Sequence, residues 1–95
     1  MARARAVSTE RRFAGTVRLV TLHLWRVAQS TDVEDGFRAA RGLGMLSAEN
    51  EEFVRTCFRV AQQLEAGEQP ERAVTPQLVD ELQACALRLN AADPA

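Results

Sequence analysis

Phe13 to Gln29 reads FAGTVRLVTLHLWRVAQ and holds the only Trp and the only His of the chain. At about 3.6 residues per turn, steps of four, three, four and three place Phe13, Val17, Val20, Leu24 and Val27 on one helical stripe. That stripe is a core face. The opposite side of the same wheel carries Leu22 and Trp25 beside Arg11, Arg18 and Gln29, so large apolar groups stand on both faces of one helix. One small core cannot take both faces. The spacing therefore predicts a helix that turns its first stripe inward and offers Arg18, Leu22 and Trp25 as an interface.

The rest of the chain reads as helices that cover the first stripe. Ser8 or Thr9 has the chemistry of an N-cap for helix 1, leaving residues 1–7 as a flexible basic arm. Gly15, inside that helix, costs about 1 kcal/mol relative to Ala and suggests a backbone passing close by. Thr31 followed by Glu34 has the spacing of a capping box for helix 2. Its face is Val33, Phe37 and Ala40, and Gly42 and Gly44 stop it, after which Met45 and Leu46 cross the core edge. Ser47 caps helix 3, expected from Ala48 to about Ala66, with Phe53, Val54, Cys57, Val60, Ala61 and Leu64 on its inner stripe and Phe58 at the margin. Gly67 to Ala73 is a polar connection of ordinary length. Thr75 then stands at N-cap with Pro76 at the first helical position, and Val74 is placed to staple onto Val79. The last helix buries Leu78, Val79, Leu82, Cys85, Ala86 and Leu89 and turns Leu87 away. No period-two strand pattern and no repeat interrupts this reading. The expectation is an all-α, small four-helix bundle in one domain over residues 8–91, its core built by helices 1, 3 and 4, with a disordered tail at 92–95.

Composition agrees with one soluble unit: 95 residues, 46% apolar and 26% charged. The net charge of −1 conceals an uneven distribution, because residues 1–30 hold six Arg against one acid and residues 31–95 hold six Arg against twelve. Every basic residue is Arg, a bias that reads as GC-rich, bacterial coding before it reads as function. No apolar run approaches the roughly 18 residues of a membrane span, since Arg18, His23 and Arg26 break the best candidate. Cys57 and Cys85 fall on apolar helical positions at no metal-ligand spacing and read as buried thiols. With nothing that indicates secretion, a cytoplasmic location is expected.

Candidate chemistry is sparse. His23 lies about 60° from the centre of the helix 1 stripe, with no nucleophile or ligand pattern beside it, so it reads as structural or interfacial. No catalytic residue, metal site or cofactor is assigned. Arg3, Arg5, Arg11 and Arg12, with Arg18 and Arg26 further along, are the candidate contacts if the chain binds nucleic acid. The acidic majority of helices 2 to 4 is an equally good destination for these arginines, within the chain or in a partner.

The run Gly44-Met45-Leu46-Ser47, the helix containing CFRVAQQLEAGE (Cys57 to Glu68), the polar turn, Val74-Thr75-Pro76 and the final amphipathic helix together resemble the C-terminal half of HEPN-type helical domains. In that family an R-N-x-x-x-H motif carries RNA cleavage. Arg59 stands at the Arg position here, whereas Val60 replaces the Asn and Leu64 replaces the His. The resemblance therefore implies a non-cleaving relative of a family that commonly dimerises through helices in bacterial defence or toxin–antitoxin settings. Taken together, the expected function is a non-enzymatic interaction or oligomerisation module, a bacterial regulatory or defence-related accessory protein that forms a homodimer or binds a helical protein. The alternative is a nucleic-acid-binding protein or ribonuclease-like HEPN relative that uses the Arg-rich face of helix 1.

Overall fold

In the computed structural model, four helices follow one another: α1 (Ala2–Ala28), α2 (Val33–Gly42), α3 (Ala48–Glu65) and α4 (Pro76–Ala91). The structure describes residues 2–91, with side chains from Ser8 to Asn90, so the tail expected at 92–95 lies outside the described residues. The result is the small all-α four-helix bundle that the spacing predicts. It measures 43 × 23 × 21 Å, and its long dimension is set by α1, whose 27 residues span about 40 Å at 1.5 Å per residue.

The start of α1 departs from expectation. The helix begins at Ala2, so Ser8 and Thr9 are interior positions and not caps, and residues 2–7 continue the helix instead of forming an arm. Alternating Ala and Arg are strong helix formers with no turn signal between them, and propensity carries the helix through. Thr9 and Thr16 face inward. The Thr16 hydroxyl donates to the carbonyl of Arg12 at 2.8 Å, which satisfies a polar group on an otherwise apolar face.

Three helices end in the same way, with a left-handed residue just past the end that lets two backbone N–H groups reach back to free carbonyls. After α1, Ser30 N–H donates to Trp25 and Gln29 N–H to Arg26; after α2, Met45 reaches Ala40 and Gly44 reaches Arg41; after α3, Glu68 reaches Gln63 and Gly67 reaches Leu64. Gly44 and Gly67 take the positive φ at two of these ends, but Gln29 takes it at the first with φ 53°. The N-cap of α2 also shifts by one residue from expectation: Asp32, not Thr31, accepts the N–H of Glu34 at 2.9 Å. Ser47 caps α3 through the N–H of Asn50, and the Thr75 hydroxyl accepts the N–H of Leu78 at the start of α4.

The core contains Phe13, Val20 and Leu24 of α1, Val54, Cys57 and Val60 of α3, and all six inner residues expected of α4, each no more than 3% exposed. It also contains Phe37 and Ala40 of α2, with Met45 and Leu46 beyond it, so the core is not the work of helices 1, 3 and 4 alone. The most extensive helix packing is that of α1 with α4 and with α2. At the second of these, Gly36 lies so near α1 that a Cβ would come within 2.6 Å of Leu24 Cβ and 2.7 Å of the Leu24 carbonyl oxygen. The close approach expected at Gly15 is therefore found at Gly36; around Gly15 there is open space.

Directions follow from paired side chains. Arg12 meets Asp80 and Arg26 meets Asn90, so α4 runs beside α1 in the same direction. The Ala61–Glu65 end of α3 lies by the Glu10–Thr21 part of α1, which sets α3 opposite to both.

Candidate interaction surface

The charged side chains of α2 and α3 are largely engaged with one another. Arg55 donates to both oxygens of Glu34 at 2.7 and 2.9 Å and to Glu51 at 3.2 Å, while Arg41 grips both oxygens of Glu51 at 3.1 and 2.7 Å. The Arg55 guanidinium also lies 4.2 Å from the Phe37 ring centre, and Phe37 tilts against Phe58. This alternating chain of four charges over an aromatic pair fastens α2 to α3. Hydrogen bonds from Arg55 and Arg41 hold the Glu34 and Glu51 carboxyls below their ordinary range. They raise both arginines in turn.

A second cluster ties down the connection before α4. Arg59 donates to both oxygens of Glu71 at 3.0 and 3.1 Å. Gln63 receives the Glu71 N–H at 2.8 Å and donates to the Glu71 carboxylate. Arg59 thus lowers the Glu71 carboxyl by its hydrogen bonds. Arg59, the position that the HEPN resemblance would give to RNA cleavage, is bound to this carboxylate, and Leu64 lines an open groove between α1 and α3.

Cys57 and Cys85 are free and buried; loss of water contact pushes the Cys57 thiol up to about 12 and the Cys85 thiol in the same direction. His23 is half-buried at the α1/α4 boundary, where its Nδ1 lies 2.7 Å from the Arg26 guanidinium, and Arg26 donates to the Asn90 side chain at 3.0 Å. Among the described residues, no group of three His, Cys, Asp or Glu side chains could hold a metal ion, and no helix is long and apolar enough to cross a membrane.

The residues expected to form an interface share one side of α1 but differ in exposure. Leu22 is 50% exposed and Arg18 is exposed, but Trp25 is half-buried, with its Nε1 fully buried and without a hydrogen-bond partner among the described residues. Trp25 adjoins Leu24, where α2 crosses, and so is not an open aromatic anchor. Arg18 instead lines the groove of about 440 Å³ between α1 and α3, with Phe13, Val17 and Leu64 on its floor. Of the candidate nucleic-acid contacts, Arg11 is exposed and Arg12 stands 3.7 Å from Asp80; the side chains of Arg3 and Arg5 lie outside those described.

The structure regroups the exposed apolar side chains. Leu19, 44% exposed, stands one turn before Leu22, and Leu87 of α4, 67% exposed, faces Leu19 across a second furrow of about 440 Å³. His23, Gln83, Ala86 and Asn90 complete its lining. Leu87 was legible as an outward residue of the last helix. Leu19 carries only a weak signal in the sequence, its spacing to Leu22; only the placement of α4 beside α1 joins it to Leu87. Comparison of the chain with protein-family models, with curated proteins and with solved structures finds no match. Its class is accordingly that of the fold itself, a small all-α four-helix bundle, with an apolar α1/α4 face as its candidate site.

Proposed function

We propose that this chain is a non-enzymatic interaction module, an accessory protein that works by docking a protein surface on the α1/α4 face. The observation that carries this reading is the exposure of Leu19, Leu22 and Leu87 on one face of a bundle whose core is already closed. Leucines grouped on an open face lower their free energy by meeting another apolar surface, and such patches on small domains are commonly contact sites. A bacterial regulatory or defence setting, and a distant, non-cleaving HEPN relationship, remain part of this proposal through the sequence resemblance alone. Tagged protein, wild type and the double variant Leu22→Ser/Leu87→Ser, tests it by capture from the native host. A protein partner retained by the first and not by the second supports the module. Identical profiles would remove the α1/α4 face from the function.

One observation favours the nucleic-acid alternative: Arg11, Arg12, Arg18 and Arg26 are exposed along a single helix. That reading requires retention on RNA or heparin that falls steeply with added salt and with Arg11→Ala/Arg18→Ala.

A further inference from the structure

Resting on the reading of the α1/α4 face as a docking surface, we infer that its occupant is a second copy of this chain. The two-fold axis runs along the helices, so that α1 of each protomer lies against α4 of the other. Three observations converge on that arrangement. Gly15, Leu19 and Leu22 follow one another at steps of four and three, which makes a continuous stripe on the outer side of α1. Both leucines are open, and nothing in the chain lies within 4 Å of a Cβ built on Gly15. A glycine inside a helix weakens it, and no neighbour within the protomer requires one here. A second helix approaching from outside would.

The charges select the orientation. On this side of α1 the ionised side chains are Arg11, Arg12, Arg18 and Arg26, whereas the matching flank of α4 carries Asp80. Laying α1 on α1 of the partner about a perpendicular axis runs the helices antiparallel. Arg11 and Arg12 then face Arg26 of the partner subunit, a like-charge contact that disfavours the pairing. Laying α1 on α4 of the partner keeps the helices parallel. It seats Leu19 and Leu22 against Leu87 of the partner subunit and brings Arg11 and Arg12 toward Asp80 of the partner subunit. Such a face is self-complementary, as a two-fold contact must be. The extent suits a reversible contact. α4 has 16 residues, so the two helices lie side by side over about 24 Å at 1.5 Å per residue, and at about 10 Å across each they offer roughly 480 Å² per protomer, the size of a weak, dissociating interface.

Mass and cross-linking test this together. Wild type is expected to sediment as a dimer that dissociates on dilution, and Leu22→Ser/Leu87→Ser as a monomer with the same helical circular dichroism. Because Cys57 and Cys85 are buried, a surface cysteine added to either site is the reactive thiol. On mild oxidation, a mixture of Leu22→Cys and Leu87→Cys proteins should give a mixed disulfide several-fold faster than either protein alone, and Leu43→Cys, on an exposed residue away from this face, should give none. Leu22→Cys alone cross-linking as fast as the mixture would overturn the α1-to-α4 arrangement. A wild type monomeric at all concentrations, with no mixed disulfide, would overturn the second copy as occupant. Host capture then separates the two levels: a partner retained by wild type and lost in Leu22→Ser/Leu87→Ser leaves the interaction module standing without self-association, and equal retention removes both.

Discussion

Gly36 is the position where a single added carbon does most harm. Its Cβ would meet the backbone of Leu24, not the movable tip of a side chain, so α2 would have to lift from α1 to admit it. Gly36→Ala should lower stability by about 3 kcal/mol, against no more than about 0.5 kcal/mol for Gly42→Ala, which has open space around it. Chemical denaturation of the two variants measures the difference. Gln29 shows the reverse case. It holds φ 53° at the end of α1, a conformation that costs a residue with a side chain about 1 kcal/mol and costs glycine almost nothing. Gln29→Gly should therefore raise stability by about 0.5–1 kcal/mol, seen as a higher thermal midpoint; a lower one would mean that the Gln29 side chain stabilises the turn. Both residues escape a reading by periodicity. Gly36 looks like a helix-weakening residue until its neighbour is known, and nothing in Gln29-Ser30 marks a left-handed turn.

At the scale of elements, the joint between α2 and α3 depends on Arg55. Its side chain is 28% exposed, bound to two carboxylates and stacked over Phe37. Arg55→Met keeps the stem and loses the fork, and should cost about 1–2 kcal/mol in denaturation. The same joint makes stability depend on pH. Glu34, Glu51 and Glu71 have folded-state values below the ordinary carboxylate range, so the folded chain binds fewer protons than the unfolded chain as the pH nears that range. Their contribution is complete above the unfolded value of about 4.3 and is lost as the pH falls through the lowered folded values. The thermal midpoint should accordingly drop between about pH 5 and pH 3, and less steeply in Glu51→Gln; equal slopes would show that these ion pairs are not what acid breaks. The helices themselves were legible element by element, because Thr75-Pro76, Ser47 and the glycines after α2 and α3 are local signals. The partners of Arg55 were not, since Glu34 lies 21 residues away and no local pattern selects it over other acids.

For the whole molecule, the division between the inner and outer faces of α1 is the quantity to test. Leu24 is fully buried and Leu22 half exposed. Leu24→Ala should cost about 2–5 kcal/mol, and Leu22→Ser should leave protomer stability within about 0.5 kcal/mol when measured on dilute protein. Equal costs would mean that the helix is rotated from the position described. The proposed role also predicts that purified protein leaves single-stranded RNA intact. Cleavage lost in Arg59→Ala would instead restore the ribonuclease reading, despite the hold of Glu71 on that side chain.

Spacing alone determined the helical class, the four segments, the inner stripes of α1, α3 and α4, and the outward direction of Leu22 and Leu87. Such features depend on residues within a turn or two of each other, where a period of 3.6 acts directly. The tertiary structure decided what spacing does not contain: that Gly36 and not Gly15 takes the close crossing, that α2 joins the core, that Trp25 is half covered while Leu19 stays open, and that α4 lies parallel to α1 with Leu87 facing Leu19. Periodicity says which side of a helix is apolar. Which neighbour covers each flank is settled by the shapes of helices far apart along the chain, packed at close distance.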